Sequence, residues 1–388
     1  MMLSNRAPDT EIDPVVTPAH APEPVRSIAE HKKRRAGREP GLVRMPPRGV
    51  LIGLALLLLA ATLLALGHGA YRIAPADTLA ILLSKLGVTT AVDPQQEAIL
   101  TSIRAPRVVL ALLTGAGLGV AGALMQGLFR NPLADPTLIG VSTGAALAAA
   151  GVIVLGATWL PGLSRVLGTW TLPLAAFGGA LVFTSLVYRI GAGRGVLSLP
   201  VVLLAGIALN ALAMAGVGFL SYLATDEQLR NLTFWTFGSL ASGTWPVLSA
   251  VAPLALLAIV LGLTLARPLN ALALGETQAG HLGVDVLRTK RAAIVLTALA
   301  VGSLVAVTGV IGFIGLVAPH AIRLACGPDH RIVIPGAALL GALLVVLADI
   351  AARTWVAPAE LPIGILTAAL GAPFFLALLL RRRTQGAL

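Results

Sequence analysis

Charge is scarce in this chain, and the shortage excludes several classes of protein at once. Only 12% of its 388 residues are Asp, Glu, Lys or Arg, where a soluble domain carries about 25%. With the length spent on apolar segments, no large soluble domain fits. The single cysteine, Cys326, has no partner for an internal disulfide and supports no thiolate cluster. No glycine is followed by lysine, so the G-x-x-x-x-G-K-[ST] phosphate loop is missing, and with it that route to ATP hydrolysis. The six histidines (His20, His31, His68, His281, His320, His330) include no H-x-x-x-H pair, so no helical metal site is expected. Acids suited to a proton or sodium relay are also few. Asp349 lies inside an apolar run, but Arg353 follows one helical turn later, and a structural ion pair is the better reading of the two.

Apolar runs are what the chain has in plenty. It is 57% hydrophobic, with a mean hydropathy of +0.89, which reads as an all-α polytopic membrane protein. About 20 apolar residues are needed to cross the hydrocarbon, and ten runs qualify: 50–67, 106–126, 137–157, 171–190, 199–222, 245–265, 292–311, 313–326, 334–352 and 363–380. The eighth is short. The stretch 71–87 is amphipathic and reads as an interfacial helix. Residues 1–48, with the basic run His31–Arg38, read as a disordered cytoplasmic tail touching anionic lipid headgroups rather than a cleaved signal. Residues 49–383 then form the transmembrane domain. The formal charge of +11 reads as a positive-inside bias and not as affinity for nucleic acid. With ten crossings and both termini cytoplasmic, three quarters of the 28 basic residues fall inside; the opposite orientation inverts the bias.

Two interruptions stand out. Residues Arg130–Pro136 break an apolar stretch with two prolines and three strongly polar side chains, which belongs at a membrane surface or against other protein. Residues 267–291 form the largest cytoplasmic loop, reading as two short helices with turns at Gly275 and Gly283. Too polar for lipid and too patterned for a linker, this loop suits docking of a peripheral subunit. A transporter with neither its own phosphate loop nor an obvious ion relay would borrow such a subunit as its engine. Gly115, Gly119 and Gly122 share a helical face and permit close helix packing.

At these residues the chain resembles the FecCD-type permeases, the inner-membrane subunits of binding-protein-dependent ABC importers for iron-siderophores, haem and cobalamin. The resemblance runs over roughly 50–383. It is carried by R-x-P-R at 104–107, GALMQGLFRNPLADP at 122–136, GVSTGAA at 140–146, LLAGIALNAL at 203–212, FWTFGSL at 234–240 and ALGETQAGHLGVD at 273–285. GFIGLVAPHAIR at 312–323, GPDHR at 327–331, ADIAAR at 348–353 and ELPIGILTAALGAPFF at 360–375 complete it. It implies a type II importer-like permease, a homodimer with about ten helices per subunit in the bacterial inner membrane. Its further partners would be two cytoplasmic ABC ATPase subunits and a periplasmic substrate-binding protein. It also implies transport by alternating access, with no covalent chemistry and no cofactor on this chain; ATP and magnesium would belong to the partner ATPase.

Residue by residue, the resemblance assigns ATPase coupling to Leu274, Gly275, Glu276, Gln278, Gly280, Gly283 and Asp285. It assigns binding-protein docking to Arg104 and Arg107, with Arg353 as a third; headgroup snorkelling is the alternative. The fifth span would line the path, with Asn210, Met214 and Tyr222 facing substrate or, alternatively, serving as packing residues. His320 reads as structural. The segment 218–243 looks most like the haem-importing branch, with ferric siderophore and cobalamin as alternatives. From a different class, an ion-coupled secondary transporter remains the rival, and it would need acids at mid-span.

Overall fold

The computed structural model describes residues 45–69, 71–88, 92–159, 161–193 and 196–384. Most of the expected basic tail therefore lies outside the described residues. All ten apolar runs are helical. They are α1 (Pro47–Gly67), α4 (Ala105–Leu128), α5 (Val141–Trp159), α7 (Thr171–Gly191), α8 (Leu199–Leu223), α10 (Trp245–Thr264), α13 (Val286–Thr308), α14 (Ile314–Cys326), α15 (His330–Thr354) and α16 (Ile363–Thr384). Seven of the spans they contribute to are long and apolar enough to cross a membrane, and α5, α14 and α16 supply shorter apolar stretches. Between them lie α2 (Pro75–Lys85), α3 (Pro94–Ala98), α6 (Pro161–Leu167), α9 (Asp226–Phe237), α11 (Ala266–Ala273) and α12 (Glu276–His281), with a two-stranded hairpin β1 (Ala192–Gly193) and β2 (Val196–Leu197). The 71–87 stretch is helical over α2 only. The all-α polytopic fold is as the hydropathy pattern implies.

Helix boundaries follow caps more than hydropathy. The run expected at 292–311 begins at Val286, because the Asp285 carboxylate accepts the Arg288 backbone N–H at 2.9 Å. It ends at Thr308, because Gly309 turns left-handed at φ 69°. Likewise α15 begins at His330 and not at 334, since Asp329 caps it through the Arg331 N–H at 2.9 Å.

The core is built around α4, which is buried around nearly its whole circumference and packs against α10, α13, α14 and α15. Its glycine face is the reason. A Cβ at Gly115, Gly119 or Gly122 would overlap the backbone of Gly341, Ala337 or Gly315 respectively. The three glycines thus let α4 touch α14 and α15 at backbone distance, the small-residue packing the spacing implied. By contrast α1, α7 and α8 are largely exposed.

A non-helical stretch, Gly309–Phe313, separates α13 from α14 and is half-buried or buried. Its neighbourhood is tied by backbone bonds: Ser239 N–H donates to the Thr308 carbonyl at 2.7 Å, and Ile363 N–H donates to Gly238 O at 3.0 Å. Irregular backbone at membrane depth requires such protein partners.

Candidate functional site

The loop between α10 and α13 folds as two helices with a sharp corner. Leu274 ends α11 in right-handed geometry, and Gly275 follows at φ 124°, a conformation that strains any residue with a Cβ. A Cβ at Gly275 would also overlap the Gln278 amide. Then come α12, a left-handed Gly283 and the cap Asp285. Ala279, within α12, is fully buried, while Glu276, Gln278, Gly280, Gly283 and Asp285 are exposed. Leu274 and Leu282 are 66% and 63% exposed. The corner therefore presents two large apolar side chains, separated by polar groups, on a loop too polar for lipid.

Two polar clusters anchor this loop, and neither was singled out from sequence. Lys290 Nζ, buried at the base of α13, donates to Glu276 Oε2 at 2.7 Å and to the Leu197 carbonyl at 3.1 Å. On α11, Asn270 Nδ2 donates to Asp329 Oδ1 at 2.6 Å, and Asn270 Oδ1 accepts from the His330 backbone N–H at 2.9 Å. His330 Nδ1 lies 2.8 Å from the same amide oxygen, which fixes Nδ1 as a donor because that oxygen can only accept. Hydrogen bonds from Arg331 above all hold the Asp329 carboxyl down at about 2. The α11–α12 loop is thus pinned to the starts of both α13 and α15.

The break at 130–136 lies at the same end. Arg130 adopts φ 50°, the Asn131 side chain accepts from Leu133 N–H at 2.9 Å, and Asp135 caps the 3₁₀ turn Pro136–Ile139 through Thr137 N–H at 2.8 Å. Burial raises the Asp135 carboxyl above its ordinary value. Asn210 reaches this turn: its Nδ2 donates to the Thr137 carbonyl at 3.0 Å, and Thr143 Oγ1 donates to its Oδ1. Facing substrate and packing were the two readings of Asn210; its amide fastens α8 to the turn at Thr137 and to α5 at Thr143. Met214 and Tyr222 are 55% and 85% exposed on α8, so they are open to a partner or a path.

At the opposite end the three arginines assemble, but inward. Arg107 Nε donates to Asp349 Oδ1 at 2.9 Å, and its two terminal nitrogens fork onto Glu360 at 2.8 and 2.9 Å. Arg353 pairs with Asp349 at 3.0 Å, the ion pair the i,i+4 spacing implied, and donates to the carbonyls of His68 and Ala65 at 3.2 Å each. Arg104 donates to the carbonyls of Leu66, Gly67 and Tyr71. All three are buried, so docking through them, as the resemblance implies, would require a partner to reach into this network. The reason for the burial is local: helix-end carbonyls of α1, which have no partner within their own helix, and a buried carboxylate on α15 lie within hydrogen-bond reach of the guanidinium groups. His320 is buried beside Phe374 and Phe375, which fits the structural role given to it. Among the described residues no group of three or more His, Cys, Asp or Glu could hold a metal ion.

Comparison with known proteins matches residues 57–381 to the FecCD transport family. The chain is 45% identical over 343 residues to the hemin transport system permease protein HmuU of Yersinia pestis, covering 88% of this chain and 98% of that one. It is 42% identical over 332 residues to the vitamin B12 import system permease protein BtuC of Salmonella schwarzengrund (strain CVM19633), covering 85% and 94%. A solved structure of a metal-chelate type ABC transporter in an inward-facing conformation superposes with a TM-score of 0.74 at 32% identity, covering 86% of this chain and 99% of that one.

Proposed function

The chain belongs to the FecCD transport family, the permeases of ABC importers, and from that premise we propose that it imports haem as a homodimer driven by two cytoplasmic ATPase subunits. The observation that carries the ATPase part is the α11–α12 corner, with Leu274 and Leu282 exposed on either side of Gly275–Gly280. Its contact surface is Leu274, Gly275, Glu276, Gln278, Gly280, Gly283 and Asp285. The chain supplies the path and the gates; ATP and magnesium act on the partner subunit, and no bond of the substrate is made or broken here. Both termini lie in the cytoplasm of a bacterial inner membrane.

A second copy of the chain would cover the apolar face of α8, where Leu204, Ile207, Met214, Phe219 and Tyr222 are exposed, and the path would run along that axis. A periplasmic binding protein would dock at the end carrying Arg104, Arg107 and Arg353, reaching Arg107 where half-exposed Glu360 now sits.

Haem as substrate is supported by the 45% identity to a hemin permease and by α8, which carries no Asp, Glu, Lys or Arg and so suits a flat apolar ligand. A second reading, cobalamin or a ferric siderophore, is supported by the 42% identity to a vitamin B12 permease.

The test of coupling is Gly275→Pro and Glu276→Lys in proteoliposomes holding the assembled complex. Loss of ATP-dependent uptake with normal membrane insertion is expected. Full transport by both variants would overturn the ATPase-coupling reading and favour an ion-coupled mechanism.

A further inference from the structure

A buried ammonium group joins α12 to the start of α8. Lys290 is 3% exposed, and its Nζ holds Glu276 on one side and the Leu197 carbonyl on the other, at 2.7 and 3.1 Å. An ammonium group removed from water is tolerated only when paired and hydrogen-bonded, so these two partners are what keep Lys290 in place. They come from separate elements. Glu276 opens α12, and its side chain is 43% exposed, so that arm of the link stays at the surface where a partner can move it. Leu197 is the buried end of the hairpin, paired with Ala192. Two residues later α8 begins, and Ser198 stitches the junction: its N–H donates to Gly191 O at 3.0 Å, and its carbonyl accepts from Val202 N–H at 2.9 Å. A displacement of α12 therefore reaches the first turn of α8 through one ion pair and one hydrogen bond. α8 is the exposed apolar helix that carries Met214 and Tyr222.

Resting on the importer reading above, we propose that Lys290 is a positioning residue that transmits motion of the ATPase-facing helix α12 to α8. It touches neither substrate nor nucleotide. Its removal uncouples hydrolysis from transport instead of abolishing assembly.

The experiment uses the full complex of this chain with its ATPase and binding protein in proteoliposomes. Haem molecules imported per ATP hydrolysed are measured for wild type, Lys290→Met and Lys290→Arg, with ATPase co-purification as a parallel readout. Lys290→Met is expected to lower the ratio at least tenfold with the ATPase still bound, and Lys290→Arg, which keeps the charge and can fork to both partners, is expected to recover it to within threefold. A Lys290→Met ratio within twofold of wild type overturns the proposal. Loss of ATPase binding in Lys290→Met overturns it too, since Lys290 would then be a docking anchor; so does an Arg variant no better than Met. If Lys290→Met does not reach the membrane, Glu276→Ala removes the α12 acceptor alone. A lowered ratio with the ATPase still bound supports the link; a wild-type ratio, or loss of the ATPase, overturns it. Absence of ATP-dependent uptake in the wild type, for haem and for cobalamin and siderophore alike, instead overturns the importer reading and takes this inference with it.

Discussion

Asp349→Asn is the most informative single change at the end opposite the α11–α12 loop. Asp349 is 1% exposed and lies between two buried guanidinium groups. Replacing it with the isosteric amide leaves Arg107 its forked contact to Glu360 at 2.8 and 2.9 Å. Arg353 fares worse, because its remaining partners are three backbone carbonyl oxygens, at 3.2, 3.2 and 3.4 Å, and no carboxylate. Breaking a buried ion pair by removing one partner costs about 3–5 kcal/mol, mostly because it strands the other charge. Only one of the two cations is stranded here, so the low end, about 3 kcal/mol, applies. At roughly 2 °C per kcal/mol for a chain larger than a small domain, the thermal midpoint should fall by about 6 °C. Fluorescence-detected size exclusion of the purified chain after graded heating measures it. The double variant Asp349→Asn/Arg353→Met removes the stranded cation as well and should regain at least half of the loss, a non-additivity expected of contacting residues. A single-variant shift under about 2 °C, or a double variant that shows the plain sum of the two singles, would refute the reasoning. The same burial makes Arg104→Glu with Arg107→Glu a poor probe of docking, because the second change places an acid beside Asp349 and the first takes the donor from three backbone carbonyls.

Other consequences can be read more briefly. Gly122→Val should prevent accumulation of a monodisperse chain, since its Cβ would overlap the Gly315 backbone and overpacking a backbone contact costs at least about 1–3 kcal/mol; normal detergent elution would contradict the close α4–α14 contact. Asp329→Ala removes the cap of α15 and the anchor of Asn270, with an expected loss of about 1 kcal/mol. The carboxyl titrates at about 2 in the folded chain, below its ordinary 3.8, so its contribution is present above the ordinary value and is lost as pH falls through the folded one. The wild-type advantage in midpoint over Asp329→Ala should thus be flat from neutral pH down to mildly acidic conditions and shrink below the ordinary carboxylate value; an advantage that grows on acidification would contradict the assignment. Asn210→Leu should disturb the contact between α8 and the 136–140 turn and lower the midpoint, whereas a change in substrate preference with an unchanged midpoint would return Asn210 to the path.

Ten helices were legible because hydropathy alone marks segments that cannot stay in water, and the glycine spacing on α4 already announced a close-packed face. Boundaries were less legible, since Asp285 and Asp329 extend helices through polar residues that hydropathy scores as loop. The helix α9 had a readable signal that went unused. Thr225 and Gln228 stand at capping-box spacing, and the structure shows both reciprocal bonds. Among the site residues, Asp349–Arg353 was readable as a one-turn pair. Arg107 with Glu360, 253 residues apart, was not, because nothing local in a single sequence encodes a contact between distant helices. Lys290 with Glu276 escaped for the same reason, with a helix, a turn and a cap between them.

Uptake into proteoliposomes tests the central claim most directly. The chain, its ATPase and its binding protein would be reconstituted with ATP inside, and haem, a panel of ferric siderophores and cobalamin offered in parallel. ATP-dependent haem uptake that vanishes when the ATPase is left out is the predicted result. Uptake driven by an ion gradient without ATP would contradict the account, and ATP-dependent uptake of a siderophore or cobalamin alone would contradict its choice of substrate.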